Sequence, residues 1–91
     1  MNAIYELNED VAYRVIDGEA MVLNLNDGEY YSLNRAGTEI LQSIENRKNL
    51  DCILDTLKKK YGKHDENMEK DLTTLIKELL MNKLIRKANR G

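Results

Sequence analysis

Hydrophobic and polar positions along the 91-residue chain change period once, about a third of the way in. Between Val11 and Asp17, residues Val11, Tyr13 and Val15 alternate with Ala12, Arg14 and Ile16, a period of two that predicts a strand. Asp17-Gly18 follows, a pair suited to a tight hairpin because both central positions need positive φ. Met21, Leu23 and Leu25 then alternate with Val22 and Asn24, which predicts a second strand with its apolar face on Met21, Leu23 and Leu25. Asn26-Asp27-Gly28 punctuates again, and Glu29 to Leu33 forms a third short strand. Alternating segments joined by glycine-containing turns predict an antiparallel meander.

Beyond Leu33 the spacing becomes helical. Asn34 is a good N-cap for a helix carrying Ile40, Leu41 and Ile44. Asn49 caps the next, where Leu50, Ile53, Leu54, Leu57 and Tyr61 share a face, and Gly62 stops it as a left-handed C-terminal residue. Asp65 caps the third and longest helix, with Met68, Leu72, Leu75, Ile76, Leu79 and Leu80 in a wide apolar stripe. No proline interrupts these segments. Gly37, inside the first helix, costs ~1 kcal/mol against alanine and predicts close packing on the sheet. No internal repeat or linker divides the chain, so a single domain over residues 1–91 is expected, with an ordered core about 11–85 and a basic tail 86–91. The fold class is α+β: an N-terminal three-stranded antiparallel sheet followed by three helices. Helices can cover one face of such a sheet, but its edges remain to be managed or used.

Composition narrows the function classes. The chain is 42% hydrophobic and 33% charged, as expected for a soluble globular domain, and its aromatic residues are all tyrosine. A net charge of −2 disfavours tight phosphate binding, which needs clustered cations. Glu6, Glu9 and Asp10 lie near the start, while Lys83, Arg86, Lys87 and Arg90 close the chain as a solvated basic tail. The lone Cys52 excludes an internal disulfide. No apolar run approaches the ~20 residues needed to span a bilayer, and the N-terminus lacks the layout of a secretory signal, so a cytoplasmic location is expected.

Candidate chemistry is scarce. His64, beside Lys63 and Asp65 in a turn, has neither the pocket nor the orienting partner a general base needs. Cys52 falls in a helix first turn but beside the stripe of Leu50, Ile53 and Leu54, and is read as a buried small hydrophobe rather than a redox thiol. Asp65-Glu66, Glu69 and Asp71 complement a helix start instead of building a metal site. No phosphate-binding glycine loop exists. The residues therefore imply a binding domain with no catalytic residues, no metal and no cofactor.

The segment Tyr30-Tyr31-Ser32-Leu33-Asn34-Arg35-Ala36-Gly37-Thr38-Glu39-Ile40 resembles the PqqD-like family. The likeness runs roughly from Val11 to Ile85 and includes Asp27-Gly28-Glu29-Tyr30-Tyr31, the Leu57…Tyr61-Gly62 helix end and the Asp71-Leu72…Leu75…Leu79 spacing. The motifs are short, and their order and spacing carry the match. The resemblance implies a winged-helix-like arrangement and a role in pathways making ribosomally synthesised, post-translationally modified peptides. There a precursor's leader peptide adds as a strand beside the third strand, in the groove with the third helix (66–82), while a radical or other peptide-modifying enzyme, or a leader protease, acts on the core. The family includes fused, stand-alone and dimer-forming members; starting at Met1 and ending soon after the last helix, this chain is expected to stand alone, as a monomer or homodimer.

Carried onto this chain, the docking strand is Glu29, Tyr30, Tyr31, Ser32 and Leu33, with Tyr31 and Leu33 toward the core and Tyr30 and Ser32 opposite. Leu72, Leu75, Ile76 and Leu79 line the groove floor or the core behind it, and Lys77 is placed to reach acidic leader side chains. The alternative is a winged-helix DNA-binding regulator using Lys58-Lys59-Lys60 and Lys63. Against it, Glu66, Glu69, Asp71 and Glu78 on the third helix would repel a phosphate backbone.

Overall fold

The computed structural model describes residues 3–62 and 66–88. In chain order the elements are β1 (Tyr5–Leu7), β2 (Val11–Ile16), β3 (Glu19–Asn24), β4 (Tyr30–Leu33), α1 (Arg35–Glu45), α2 (Leu50–Tyr61), α3 (Glu66–Met81) and β5 (Ile85–Lys87). The expected meander forms as a three-stranded antiparallel sheet in the order β2-β3-β4, followed by three helices. Its first turn is the predicted hairpin: Asp17 and Gly18 sit at φ 54° and 82° between the paired residues Ile16 and Glu19.

Two strands were not legible in the pattern. β1 pairs antiparallel with β5 as Tyr5↔Lys87, Glu6↔Arg86 and Leu7↔Ile85. Arg86, expected in a solvated tail, bonds Glu6 through Nε at 2.6 Å, and Arg47 meets the same carboxylate at 3.4 Å. The N–H of Ala88 also donates to the Ile4 carbonyl at 2.8 Å.

The second expected strand has its faces reversed. Ala20, Val22 and Asn24 of β3 are buried against the helices, while Met21 and Leu25 are 43% and 59% exposed. Register decides this. The hairpin pairs Ala20 with Val15 and Val22 with Tyr13, which puts the even-numbered residues of β3 on the face that the helices cover. The polar Asn24 is accommodated because its Nδ2 donates to the Asn82 carbonyl at 3.3 Å and its Oδ1 accepts the Asn26 N–H at 2.9 Å. Small Ala20 lets α1 approach closely, and its N–H donates to the Thr38 hydroxyl at 2.7 Å.

The core gathers Val22 of β3, Leu41 and Ile44 of α1, Ile53 of α2, Leu72 of α3, and Leu84 and Ile85, all essentially inaccessible. Asn34 and Asn49 cap α1 and α2, accepting from the Gly37 and Cys52 amides at 2.8 Å each. A Cβ on Gly37 would lie 3.2 Å from Leu33 Cβ and 3.3 Å from Asn34 Oδ1, so glycine lets α1 begin tight against β4. Gly62 ends α2 at φ 110° and ψ 154°, an extended region open to glycine rather than the expected left-handed helical one. Cys52 is exposed, not buried: it lies one position off the Ile53–Leu57 stripe, on the solvent side. Leu80 is likewise at the surface. The proposed cap Asp65, with Lys63 and His64, lies outside the described residues.

Thr38 is the buried polar group on which the sheet's junction with α1 depends. It accepts from Ala20 and donates to the Leu33 carbonyl at 3.3 Å, standing between two groups paired across β3 and β4. Thr38→Val keeps the volume but leaves the Ala20 N–H without an acceptor, a loss of about 1–3 kcal/mol. Urea denaturation should show that loss, with Thr38→Ser close to the parent protein.

Candidate functional site

Strand order makes β4 a border of the sheet. Its register with β3 is Ala20↔Leu33, Met21↔Ser32, Val22↔Tyr31 and Leu23↔Tyr30. The ladder's hydrogen-bonded positions can be read from its start, where the Asn24 N–H donates to the Glu29 carbonyl at 3.0 Å. Antiparallel pairs alternate between bonded and non-bonded, so Tyr31 and Leu33 turn their main-chain groups toward β3. Tyr30 and Ser32 turn theirs outward. Among the described residues no strand pairs with that outer border.

α3 does not close over it. The helix packs mainly on α2 and β5, and its far end is tied by Asn82, which meets Asn24 at 3.3 Å and the Tyr31 hydroxyl at 3.5 Å. Between β4 and α3 lies a groove of about 470 Å³. Ser32 and Leu33 form one wall; Met68, Asp71, Leu72, Leu75 and Glu78 form the other; Gly37, Ile40 and Leu57 lie between. The far corner belongs to Tyr61.

Of the residues singled out from sequence, Ser32, Leu33, Leu72 and Leu75 are brought together at this groove. Tyr30 is 65% exposed and projects from the outer face of the sheet, whereas Tyr31 is half-buried against the core. Glu29 lies just before β4, its N–H bonded to Asp27 Oδ1 at 2.9 Å. Ile76 and Leu79 are fully committed to the core behind α3 and do not reach the groove. Lys77 lies in a separate depression with Glu69, Lys70, Thr73 and Thr74.

The model of the family of coenzyme PQQ synthesis protein D (PqqD) matches residues 19–85, from the start of β3 to the start of β5. The chain belongs to the PqqD family. The match contains every element that lines the groove and leaves out β1 and β2. Two solved structures share the fold. TbiB1 in complex with the TbiA(beta) leader peptide is 25% identical, with a TM-score of 0.84 over 92% of this chain and 98% of that one. Lasso peptide synthetase B1 complexed with the leader peptide is 21% identical, with a TM-score of 0.81 over 90% and 96% of the two chains. No curated protein matches the chain.

Sequence reasoning missed the contributions of α1, α2 and the acidic positions of α3 to this groove. For Asp71 and Glu78 a signal existed: with Met68 and Leu75 they follow helical spacing, one step round the helix from the core stripe of Leu72, Ile76 and Leu79. The α1 and α2 residues gave none, because their place follows from how the helices cross.

One corner of the groove is fixed by charge. Glu39 of α1 accepts from both Lys60 and the Tyr61 hydroxyl of α2. Burial alone would raise the Glu39 carboxyl, but the Lys60 and Tyr61 hydrogen bonds and the Lys60 charge outweigh it and leave it below the ordinary glutamate value. Lys60 is raised by the same hydrogen bond. Lys59 pairs with Asp55 at 3.2 Å, so two of the three lysines in the Lys58–Lys60 run are already engaged. Among the described residues no group of three or more His, Cys, Asp or Glu could hold a metal ion, and no helix is long and apolar enough to cross a membrane.

The sign of the Glu39 shift sets its pH dependence. A carboxyl lowered in the folded state adds stability above its unfolded value and loses that contribution as pH falls through its folded value. A ¹³C carboxyl titration should therefore find Glu39 titrating below the ordinary glutamate value. Glu39→Gln should remove the corresponding part of the acid-side loss of stability.

Proposed function

We propose that this chain is a non-catalytic recognition domain that captures the leader of a precursor peptide as an added strand along β4. The outward main-chain groups of Tyr30 and Ser32 bond the guest, and Glu29 extends the border by one residue. Alternate guest side chains enter the groove over Leu33 and Leu75, with the buried Leu72 beneath them, which supplies sequence choice. Ile76 and Leu79 act from behind, holding α3 at its distance. The tethered core peptide is then presented to a modifying enzyme or leader protease, in the cytoplasm, without chemistry by this domain.

The observation that carries this reading is a sheet border that no strand pairs with among the described residues, beside a groove with an apolar floor. TbiB1, which has the same fold, is in complex with a leader peptide. The DNA-binding alternative loses support from the engaged Lys59 and Lys60 and from the acidic groove face of α3.

Ladder alternation offers a clean test. Ser32→Pro removes an outward N–H without removing a β3–β4 hydrogen bond, and edge strands tolerate proline. With a candidate leader peptide titrated into the protein, amide shifts should concentrate at residues 29–33 and along α3. Ser32→Pro should weaken binding about tenfold or more while leaving the circular dichroism spectrum unchanged. Shifts confined to α2 or the C-terminal residues, or an unaffected affinity, would overturn the reading.

A further inference from the structure

α3 places two of its carboxylates on the groove side and its two lysines, with Glu69, on another side. Asp71 and Glu78, seven residues apart, line the groove with Leu75 between them. Lys70 and Lys77, also seven apart, lie together in the depression away from it. Among the described residues neither Asp71 nor Glu78 has an ion-pair partner. Among the described residues no lysine or arginine lines the groove. Of the cations nearest its corner, Lys60 is paired with Glu39, and the Arg35 guanidinium lies toward the hairpin, its Cζ 3.3 Å from an ideal Cβ on Gly18. An apolar floor thus has a carboxylate toward each end, and among the described residues no cation is paired with either.

Building on the proposed strand addition, we infer that the captured segment is cationic on its groove side: an apolar residue over Leu33 and Leu75, flanked two positions away on each side by lysine or arginine. Seven helical residues advance about 10.5 Å. Groove-facing residues of an extended guest recur every ~6.8 Å, so residues at i and i+4 stand ~13.6 Å apart. The long stems of lysine and arginine take up the difference. Acidic side chains at these positions would face Asp71 or Glu78 and be rejected, which gives selectivity through repulsion as well as attraction. The orientation is opposite to the one expected from Lys77, because that side chain is on the other side of the helix.

The probe is a display library of random dodecapeptides, panned at low salt on the parent protein, on Ser32→Pro and on the Asp71→Asn/Glu78→Gln double variant. Both carboxylates are exposed, so the double variant keeps the fold. The parent should enrich lysine or arginine at i and i+4 around an apolar residue at i+2, and the double variant should lose the cationic preference alone. For a selected peptide, changing both cations to glutamate should weaken binding to the parent about tenfold, and by less than about twofold to the double variant. Added salt should erode the difference. Selected peptides that are neutral or acidic at these positions would overturn the charge inference and leave strand addition standing. Identical pools from the parent and Ser32→Pro would overturn strand addition itself, and this inference with it.

Discussion

A strand presents hydrogen-bonding groups on two sides, and β4 uses only one of them within the described chain. That asymmetry organises what surrounds it. Asn34 starts α1 immediately after β4, and the absent Cβ of Gly37 brings that helix tight against Leu33. Thr38 then ties the last pair of the ladder to α1. The occupied side of β4 is therefore rigid, while the other faces an opening. α3 is kept at a distance by its packing on α2 and β5 and by the Asn82 contacts at its C-terminal end. A border left this open is normally an aggregation liability. Here the border strand is only four residues long and a helix stands beside it, which limits what can pair with it.

Affinity and selectivity are separated in this geometry. Main-chain groups are alike in every peptide, so a border alone would accept many guests. On the proposed reading the groove would supply the choice among side chains, and its walls differ: β4 contributes Ser32 and Leu33, while α3 alternates apolar and acidic residues. The Glu39–Lys60–Tyr61 cluster braces α1 against α2 at the corner where Tyr61 lines the groove. The groove wall there is set by charge pairing rather than by close packing, and it weakens toward acid.

The sequence carried the local rules well and the tertiary ones poorly. The Asp17-Gly18 hairpin and the Asn34 and Asn49 caps were legible because each depends on a few neighbouring residues. β3 was read with the wrong face inward, since Met21, Leu23 and Leu25 form the more hydrophobic row. Pairing with β2 and the hydrogen bonds of Asn24 overrode that preference. Ser32 and Leu33 of β4 and the leucines Leu72 and Leu75 of α3 lie at one groove. Ile76 and Leu79 belong to the same stripe but point into the core, because a stripe wider than one contact face divides between two surroundings. β1 and β5 left no trace in the pattern. They are three residues long and find each other across nearly the whole chain, a pairing no local window contains.

That last pairing has a topological outcome. Ile4 and Ala88 are joined by a main-chain hydrogen bond, so the polypeptide enters and leaves the domain at almost the same point. A unit whose entry and exit coincide can be spliced into a surface loop of a larger protein without prising that loop apart. The same body can thus travel through evolution as a separate subunit or as an insert, with its open border unchanged.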